Sequence, residues 1–339
     1  MILLYIYLEW RNFMKILFDT LGGDNGSYEV IKGAFEAKKE FDIDIAFVGK
    51  ENEIMNITDQ LDQNIEFEII NASEKIENDE EPAFALRKKK DSSIVVGLKA
   101  LKEKKVDAFV SAGSTGALLA GGLFIVGRVE NIKRAVLPTA IPNLKGSTLL
   151  IDSGANMDCD ESLLLQFAKM GKIYLEASGN HNPKVGLLNV GTEKGKGNSV
   201  VKNTYELLEK SDLNFIGNIE ARDVTLGVCD LVVCDGFVGN VLLKNTEGVA
   251  YFLTKLIEKS VAELNLSKDS LIDIKMLISK LSKRIDYHEV GGAILLGLNE
   301  VVIKAHGSSD YVAIKNAAKV AVMAVKADVV KNLGKIFKE

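Results

Sequence analysis

Two segments combine glycines and hydroxyls at points where an apolar run gives way to a helical pattern. Segment 111–117 (SAGSTGA) contributes Gly113, Ser114, Thr115 and Gly116, and segment 306–309 (HGSS) contributes Gly307, Ser308 and Ser309. Glycines let a backbone approach a ligand closely, and free N–H groups at a helix start suit an anion. We predict that both segments bind phosphate or a phosphoryl group. The alternative is that they only cap helices.

Several polar side chains follow other apolar runs and are the best candidates to hold an anion, an oxyanion or a proton. They are Lys196, Asp235, Asn156, Asn240 and His306. Each of these residue types more often forms structural hydrogen bonds, so a structural role is the alternative for each of them.

The sequence lacks the motifs of several other chemistries. It has no GxxxxGK[ST] spacing, no GxGxxG at the first strand and no GxSxG, and neither HExxH nor CxxC occurs, so we expect no metal site and no cofactor. Cys229 and Cys234 read as small core residues. Cys159 opens a helix, which would lower its pKa, so a reactive thiolate there is an alternative. We expect direct attack on the substrate without an acyl-enzyme.

Apolar runs alternate with helical patterns along the chain. Strands are predicted at 15–19, 43–48, 65–70, 106–111, 135–141, 148–152, 184–190, 213–217, 230–235 and 300–304, and helices at 27–40, 83–103, 115–126, 160–177, 198–210, 239–264 and 310–333. This alternation indicates an α/β fold, a three-layer α/β/α arrangement with a largely parallel sheet. Six of these strands run into Gly-and-polar loops, which we expect to meet at the carboxyl edge of the sheet, where ligands bind.

The segment 246–285 breaks this alternation. It reads as two consecutive amphipathic helices, the first with Phe252, Leu256 and Ile257 on its apolar face, and the link offers a cap at Ser267 or Asp269. We predict a helical hairpin that projects from the α/β body.

Composition excludes several classes of protein. The 339 residues are 47% hydrophobic and 26% charged, with a formal net charge of −5. That hydrophobicity argues against a disordered chain, and no apolar run approaches the roughly 18–20 residues that span a bilayer. A mildly acidic chain is a poor candidate for binding nucleic acid. Sparse cysteines favour a reducing compartment.

Two segments of the sequence each have two possible interpretations. The basic run Arg87, Lys88, Lys89 and Lys90 is either a solvated helix face or a dock for an acidic partner or a phosphate. Residues 1–13, before Met14, lack the features of a secretory signal, so they are either a non-native start or a functional anchor.

Eight motifs taken together resemble one family. They are DTLGGD (19–24), ALRKKKDSS (85–93), VSAGSTGA (110–117), DSGANMDC (152–159), GLLNVG (186–191) with KGN (196–198), NFIGN (214–218), VCDGFVGN (233–240) and KAHGSSD (304–310). From about Met14 to about residue 333 the sequence resembles the phosphate acyltransferases of bacterial phospholipid synthesis. It departs from the family pattern at Asn25, Ser27, Ser114, Thr192-Glu193 and Ile294.

The resemblance implies an enzyme that transfers a fatty acyl group from acyl carrier protein to inorganic phosphate, giving acyl phosphate. It also implies a fold similar to isopropylmalate dehydrogenase and phosphotransacetylase. The expected protein is a cytoplasmic homodimer that associates peripherally with the membrane and hands its product to a membrane acyltransferase. On this reading, residues 14–245 and 286–339 form the catalytic domain, and 246–285 is an arm for dimer or membrane contact.

The expected mechanism follows from these residues. Phosphate is held by 113–116 and 307–309 with Lys196 nearby, and it attacks the thioester. The oxyanion is held by backbone N–H groups or by Asn156, Asn198 or Asn240. The run 87–90 meets the acyl carrier protein. The rival functions are a phosphotransacetylase that uses coenzyme A and a non-catalytic lipid-binding scaffold.

Overall fold

The computed structural model describes residues 14–61, 64–264, 266–285 and 291–338. The predicted extension 1–13 and the segment 286–290 lie outside the described residues. The chain divides into two compact units. Unit 1 takes its described residues from Met1–Val129 and Gly291–Lys331, and unit 2 takes them from Glu130–Val290 and Asn332–Glu339.

The strands of the described residues are short and mostly buried. In chain order they are β1 (Lys15–Asp19), β2 (Asp44–Gly49), β3 (Glu68–Asn71), β4 (Ala108–Ser111), β5 (Thr139–Asn143), β6 (Gly146–Ile151), β7 (Val185–Leu188), β8 (Phe215–Ile219), β9 (Leu231–Val233), β10 (Gly292–Ile294) and β11 (Val301–Ala305).

The helices differ widely in length. They are α1 (Ser27–Phe41), α2 (Glu51–Leu61), α3 (Pro82–Lys88), α4 (Ser93–Lys102), α5 (Thr115–Gly121), α6 (Glu161–Ala177), α7 (Ser199–Glu209), α8 (Ala221–Leu226), α9 (Gly236–Ala262), α10 (Lys268–Ile285), α11 (Tyr311–Lys326) and α12 (Val329–Ile336), and a π-helical turn (Gly122–Val126) follows α5.

Unit 1 is built on a sheet with the strand order β10-β11-β4-β1-β2-β3. All neighbours are parallel except β10 and β11. Ile16, Leu17 and Phe18 of β1 are fully buried in succession. Because successive side chains of a strand point to opposite faces, both faces of this sheet are covered. The register places Lys304 of β11 opposite Ser111 of β4.

Unit 2 is built on a second sheet with the order β5-β6-β9-β7-β8. Its pairs are parallel apart from the hairpin of β5 and β6. Leu150, Leu188, Ile219, Val232 and Cys234 are among the residues of its apolar core. The burial of Cys229 and Cys234 confirms that they are core residues.

The segment 246–285, predicted as a hairpin, is occupied by the later part of α9 and by α10, with no strand between them among the residues that the structure describes. Ser267 caps α10, because its Oγ accepts from the Ser270 N–H at 3.2 Å. The buried residues of α9 all lie in its first two turns, and large apolar side chains farther along, such as Tyr251 and Phe252, are 67% and 60% exposed. None of the described helices combines the length and the apolar character needed to cross a membrane.

Mostly parallel sheets flanked by helices confirm the predicted α/β fold class. The strands are divided between two sheets, so the six loops are divided as well, three to each unit. The expectation of a continuous helix was wrong in two places. Segment 83–103 is interrupted where Asp91 accepts from Ser73, and 310–333 is interrupted at Asp328, whose φ is +50°. The helices α2 and α8 were not predicted.

Candidate functional site

The loop ends of β1 and β4 in unit 1 are joined through a buried carboxylate. Ser111 Oγ donates to Asp19 Oδ2 at 2.6 Å and accepts from the Gly113 N–H at 3.0 Å. Burial raises the pKa of Asp19 above its ordinary value. A Cβ on Gly22 would lie 2.5 Å from Gly113 N, so glycine is required where these two loops touch. These glycines therefore serve packing as well as any ligand.

Lys304 brings a half-buried ammonium to the same end of unit 1. Its Nζ donates to the carbonyl oxygen of Ala112 at 3.4 Å and to that of Ala305. Burial lowers the pKa of Lys304 to about 8, although the charges of Asp24 and Asp19 act in the opposite direction. Lys304 was not predicted as a site residue, although a lone lysine near the end of an otherwise apolar strand marks it.

The loop 306–309 is held by its own hydrogen bonds. Ser308 N–H donates to His306 Nδ1 at 3.2 Å, and Ser308 Oγ lies 2.7 Å from the same nitrogen. Because a backbone N–H can only donate, His306 Nδ1 is an acceptor, and the ring proton of the neutral form is on Nε2. Ser309 N–H donates to His306 O at 3.1 Å. The Ser309 hydroxyl is buried and has no partner among the described residues.

The start of α11 is also occupied by side chains. Glu29 accepts from the Tyr311 N–H at 2.7 Å, and Asp310 accepts from the Ala313 N–H at 2.9 Å. Two of the N–H groups predicted to bind phosphate, those of Ser308 and Ser309, are likewise used within the loop. For an anion at 307–309, the Ser309 hydroxyl is the donor that the structure leaves open.

The segment 113–116 has a mixed role. Ser114 is the N-cap of α5, since its Oγ accepts from the Ala117 N–H at 3.4 Å. A Cβ on Gly116 would lie 2.7 Å from Pro82 Cγ, so this glycine allows close packing. Thr115 is exposed. The helix-cap reading therefore applies to Ser114, and the hydroxyl of Thr115 remains accessible.

In unit 2 the loop after β6 is organised by Asp152, which is fully buried. Its Oδ2 accepts from the N–H of Asn156 at 2.6 Å and from Asn156 Nδ2 at 3.0 Å. Asn156 Nδ2 also donates to Ala135 O at 2.9 Å. Burial raises the pKa of Asp152 above its ordinary value. Because both amide hydrogens of Asn156 are already donated, this residue has a structural role in the loop.

Two other predicted site residues begin helices of unit 2. Asn198 Oδ1 accepts from the Val201 N–H at 2.9 Å at the start of α7, and Asp235 Oδ1 accepts from the Val238 N–H at 2.8 Å at the start of α9. Such caps contribute about 1 kcal/mol each. The cap uses the oxygen of Asn198, so its Nδ2 hydrogens can donate to a ligand.

Lys196 and Asn240 are both exposed. Lys196 lies in the loop between β7 and α7, where its N–H donates to Glu193 O at 3.0 Å and its carbonyl accepts from Asn189 Nδ2 at 3.2 Å. Among the described residues Lys196 forms no ion pair, in contrast to Lys194, which lies 2.6 Å from Glu209. Asn240 lies beside Gly154, whose φ of +135° requires glycine.

Asn198 and Asp235 line one cavity of about 250 Å³ in unit 2, and Cys159 lines it too. The three cysteines are free. Burial raises the pKa of Cys159 to about 12, so the expectation that a helix start lowers it was wrong. Asp160, not Cys159, caps α6. Among the described residues no cluster of histidine, cysteine and acidic side chains is suited to hold a metal.

Comparison with known proteins gives a family. Residues 14–332 match the family model described as "Fatty acid synthesis protein". The phosphate acyltransferase of Clostridioides difficile (strain 630) is 49% identical over 330 residues, 96% of this chain and 96% of that protein. The phosphate acyltransferase of Caldanaerobacter subterraneus subsp. tengcongensis is 47% identical over 322 residues, 94% of this chain and 96% of that protein.

Solved structures show the fold. The phosphotransacetylase from Streptococcus pyogenes aligns with a TM-score of 0.60 at 20% identity, over 93% of this chain and 94% of that one. The branched-chain phosphotransacylase from Enterococcus faecalis aligns with a TM-score of 0.57 at 14% identity, over 92% of this chain and 99% of that one. These likenesses confirm the predicted similarity to phosphotransacetylase. Since the family model and relatives 47–49% identical span nearly its whole length, the chain belongs to the phosphate acyltransferase family of fatty acid synthesis proteins.

Proposed function

We propose that the protein transfers a long-chain fatty acyl group from acyl carrier protein to inorganic phosphate, forming acyl phosphate for phospholipid synthesis. The observation that carries this proposal is the sequence identity of 47–49% to phosphate acyltransferases over 94–96% of this chain. Membership of that family makes the protein an acyltransferase, whose substrates are phosphate and an acyl donor. We propose in addition that the acyl group is long and that its donor is acyl carrier protein.

The proposed reaction is a direct attack. A phosphate oxygen forms a bond to the thioester carbonyl carbon, the C–S bond breaks, and a thiolate with a conjugate-acid pKa near ~8.5 leaves, so general-acid help is useful but not obligatory. The raised pKa of Cys159 and Cys229, both about 12, supports a path without a cysteine acyl-enzyme. We assign His306 as a hydrogen-bond donor to the leaving sulfur or to the phosphate, since a neutral imidazole stabilises the developing negative charge without giving up its remaining ring proton.

We assign the remaining roles by what each side chain can donate. In unit 1 we assign Thr115 and Ser309 to the phosphate, since hydroxyls can donate to its oxygens, and in unit 2 we assign the Lys196 ammonium to a negative charge of the reacting groups. Asn198 Nδ2 or Asn240 Nδ2 stabilises the oxyanion. Asp235 can only accept while it is ionised, so it acts by fixing the start of α9, and Asn156 acts by fixing Asp152.

Thiol release tests the function. Phosphate should drive thiol release from long-chain acyl-acyl carrier protein, with acyl phosphate as the product and much slower release from acetyl-coenzyme A. Faster reaction with acetyl-coenzyme A would identify a phosphotransacetylase. Liposome binding without thiol release at any phosphate concentration would identify a lipid-binding scaffold.

We further propose that three exposed cations, Arg87, Lys88 and Lys90, dock the acidic carrier protein. The fourth residue of the run is committed elsewhere, since Lys89 Nζ lies 2.5 Å from Glu80 Oε1 and 2.7 Å from Lys75 O. Lys89 therefore serves as a control within the same run. Reversing its charge breaks the ion pair with Glu80, whereas reversing the charge of the other three residues breaks no such pair within the described part of the chain.

We propose that residues 246–285, the later part of α9 together with α10, form the arm by which a homodimer meets the cytoplasmic membrane surface, where a membrane acyltransferase receives acyl phosphate. The exposed apolar side chains of the arm support this, among them Tyr251, Phe252, Met276 and Leu277 at 56–67% exposure. An amphipathic element of this kind lies in the interface rather than across it.

A further inference from the structure

The cavity of unit 2 has an apolar floor and a polar rim. Leu164, Leu187 and Leu188 line it and are 2%, 0% and 7% exposed, whereas Met157 and Val238, which also line it, are 48% and 41% exposed. The exposed pair marks the open side. A volume of about 250 Å³ corresponds to the space of about eight water molecules in the liquid.

The rim carries Asn198, one of the two residues proposed to stabilise the oxyanion, together with Asp235, which fixes the start of α9. Asn198 and Asp235 line the cavity, and each is fixed by the cap it forms with the first turn of its helix. The cavity wall continues from Asn198 to Val200 and Val201 on α7. A ligand that fills the floor with an alkyl chain therefore places its polar end beside Asn198.

We propose that this cavity binds the first part of the acyl chain of the thioester substrate and so positions its carbonyl carbon beside Asn198. This inference rests on the proposed function. The carboxylates of Asp158 and Asp235 line the same cavity, so an uncharged head group such as a thioester fits it better than the anion of a free fatty acid. Cys159 and Cys234 add no charge, because burial raises the pKa of both thiols.

Binding without turnover tests the cavity separately from the reaction. S-acyl pantetheines from butanoyl to decanoyl are titrated calorimetrically into the full chain with phosphate omitted. Affinity should rise by about fourfold per added methylene group until the cavity is filled, and then level off. In Val201→Trp, which fills the cavity, this dependence on chain length should be lost, whereas Val228→Trp, a similar change at a partly exposed valine outside the lining, should keep it.

The two failures are distinguishable. Affinity that does not change with chain length in the wild type, or a Val201→Trp variant that keeps the wild-type dependence while it folds normally by circular dichroism, would overturn the cavity assignment whether or not acyl transfer occurs. Chain-length-dependent binding without phosphate-driven thiol release would uphold the cavity and refute the proposed reaction. If Val201→Trp does not fold, Val200→Leu in the wall and Leu188→Met in the floor, which alter the cavity mildly, should shift the chain length at which affinity levels off.

Discussion

Lys196 and His306 have proposed catalytic roles and are both exposed, so their side chains can be replaced with little effect on folding. We expect Lys196→Ala to lower kcat at least about 100-fold, as loss of one electrostatic contact to the transition state does, with a change in the free energy of unfolding within about 0.5 kcal/mol. His306→Ala should lower turnover as well, at a cost of about 1 kcal/mol in stability because Ser308 loses its acceptor.

Lys194→Ala is the control for these variants, because Lys194 is exposed in the same loop but is paired with Glu209. It should keep near-normal turnover. Full activity of both Lys196→Ala and His306→Ala in the thiol-release assay would show that these site assignments are wrong.

Lys304 predicts an unusual dependence of stability on pH. Its pKa of about 8 in the folded protein lies below the ordinary lysine value, so above pH 8 the unfolded chain binds more protons than the folded one. The stability of the wild type relative to Lys304→Met should therefore rise between pH 8 and pH 10, by on the order of 1–2 kcal/mol after allowance for solvent screening. Urea unfolding of both proteins across this range measures it.

For Lys194 we expect the opposite dependence of stability on pH. The hydrogen bond to Glu209 raises the pKa of Lys194, so its contribution to stability is present at neutral pH and is lost as the pH rises. If the Lys304→Met and Lys194→Met differences follow pH in the same direction, the lowered pKa assigned to the half-buried Lys304 ammonium is contradicted.

At the scale of elements, the basic run ends α3 and continues into the link before α4. Reversing the charges of Arg87, Lys88 and Lys90 should raise KM for acyl-acyl carrier protein by roughly tenfold at low salt, and the effect should shrink as salt is added. KM for a small acyl thioester should not change. Lys89→Glu should instead lower the melting temperature, because it disrupts the pair with Glu80. Equal effects on both donors would argue against docking.

The strands were predicted well from the sequence where a continuous run of apolar residues marks a strand that is buried on both faces. β1 and β4 are continuous apolar runs, and that pattern follows from strands covered on both faces. The partition into two sheets was not predictable, because β4 pairs with β11, almost 200 residues later, through contacts that leave no local pattern. The same limit applies to the site. Asn156 was predicted to be catalytic from its place after a strand, but that position does not reveal that Asp152 and Ala135 accept its two amide hydrogens.

At the scale of the whole molecule, a net charge of −5 gives no general attraction to anionic lipid. Membrane contact must then depend on apolar side chains of the arm, and Leu256→Glu or Ile257→Glu should abolish co-sedimentation with liposomes. Lys255→Gln, which removes an exposed ion pair with Glu258 from the same helix, is the control.

Sedimentation velocity without lipid separates the two proposed roles of the arm. Variants that lose liposome binding but remain dimeric support the membrane role. Variants that become monomeric and still bind liposomes would assign these side chains to the subunit contact instead.

One helix, α9, joins the site to the arm without a break. Its 27 residues span about 40 Å, and the part from the turn held by Asp235 to the exposed side chains near Leu256 takes about 30 Å of that length. The phase of that helix fixes the direction in which the arm presents its apolar face. A single residue inserted near Gly248 would turn that face by about 100°, whereas seven residues, close to two full turns, would nearly restore it. The number of residues between Asp235 and Leu256 therefore sets the direction in which the apolar face of the arm points.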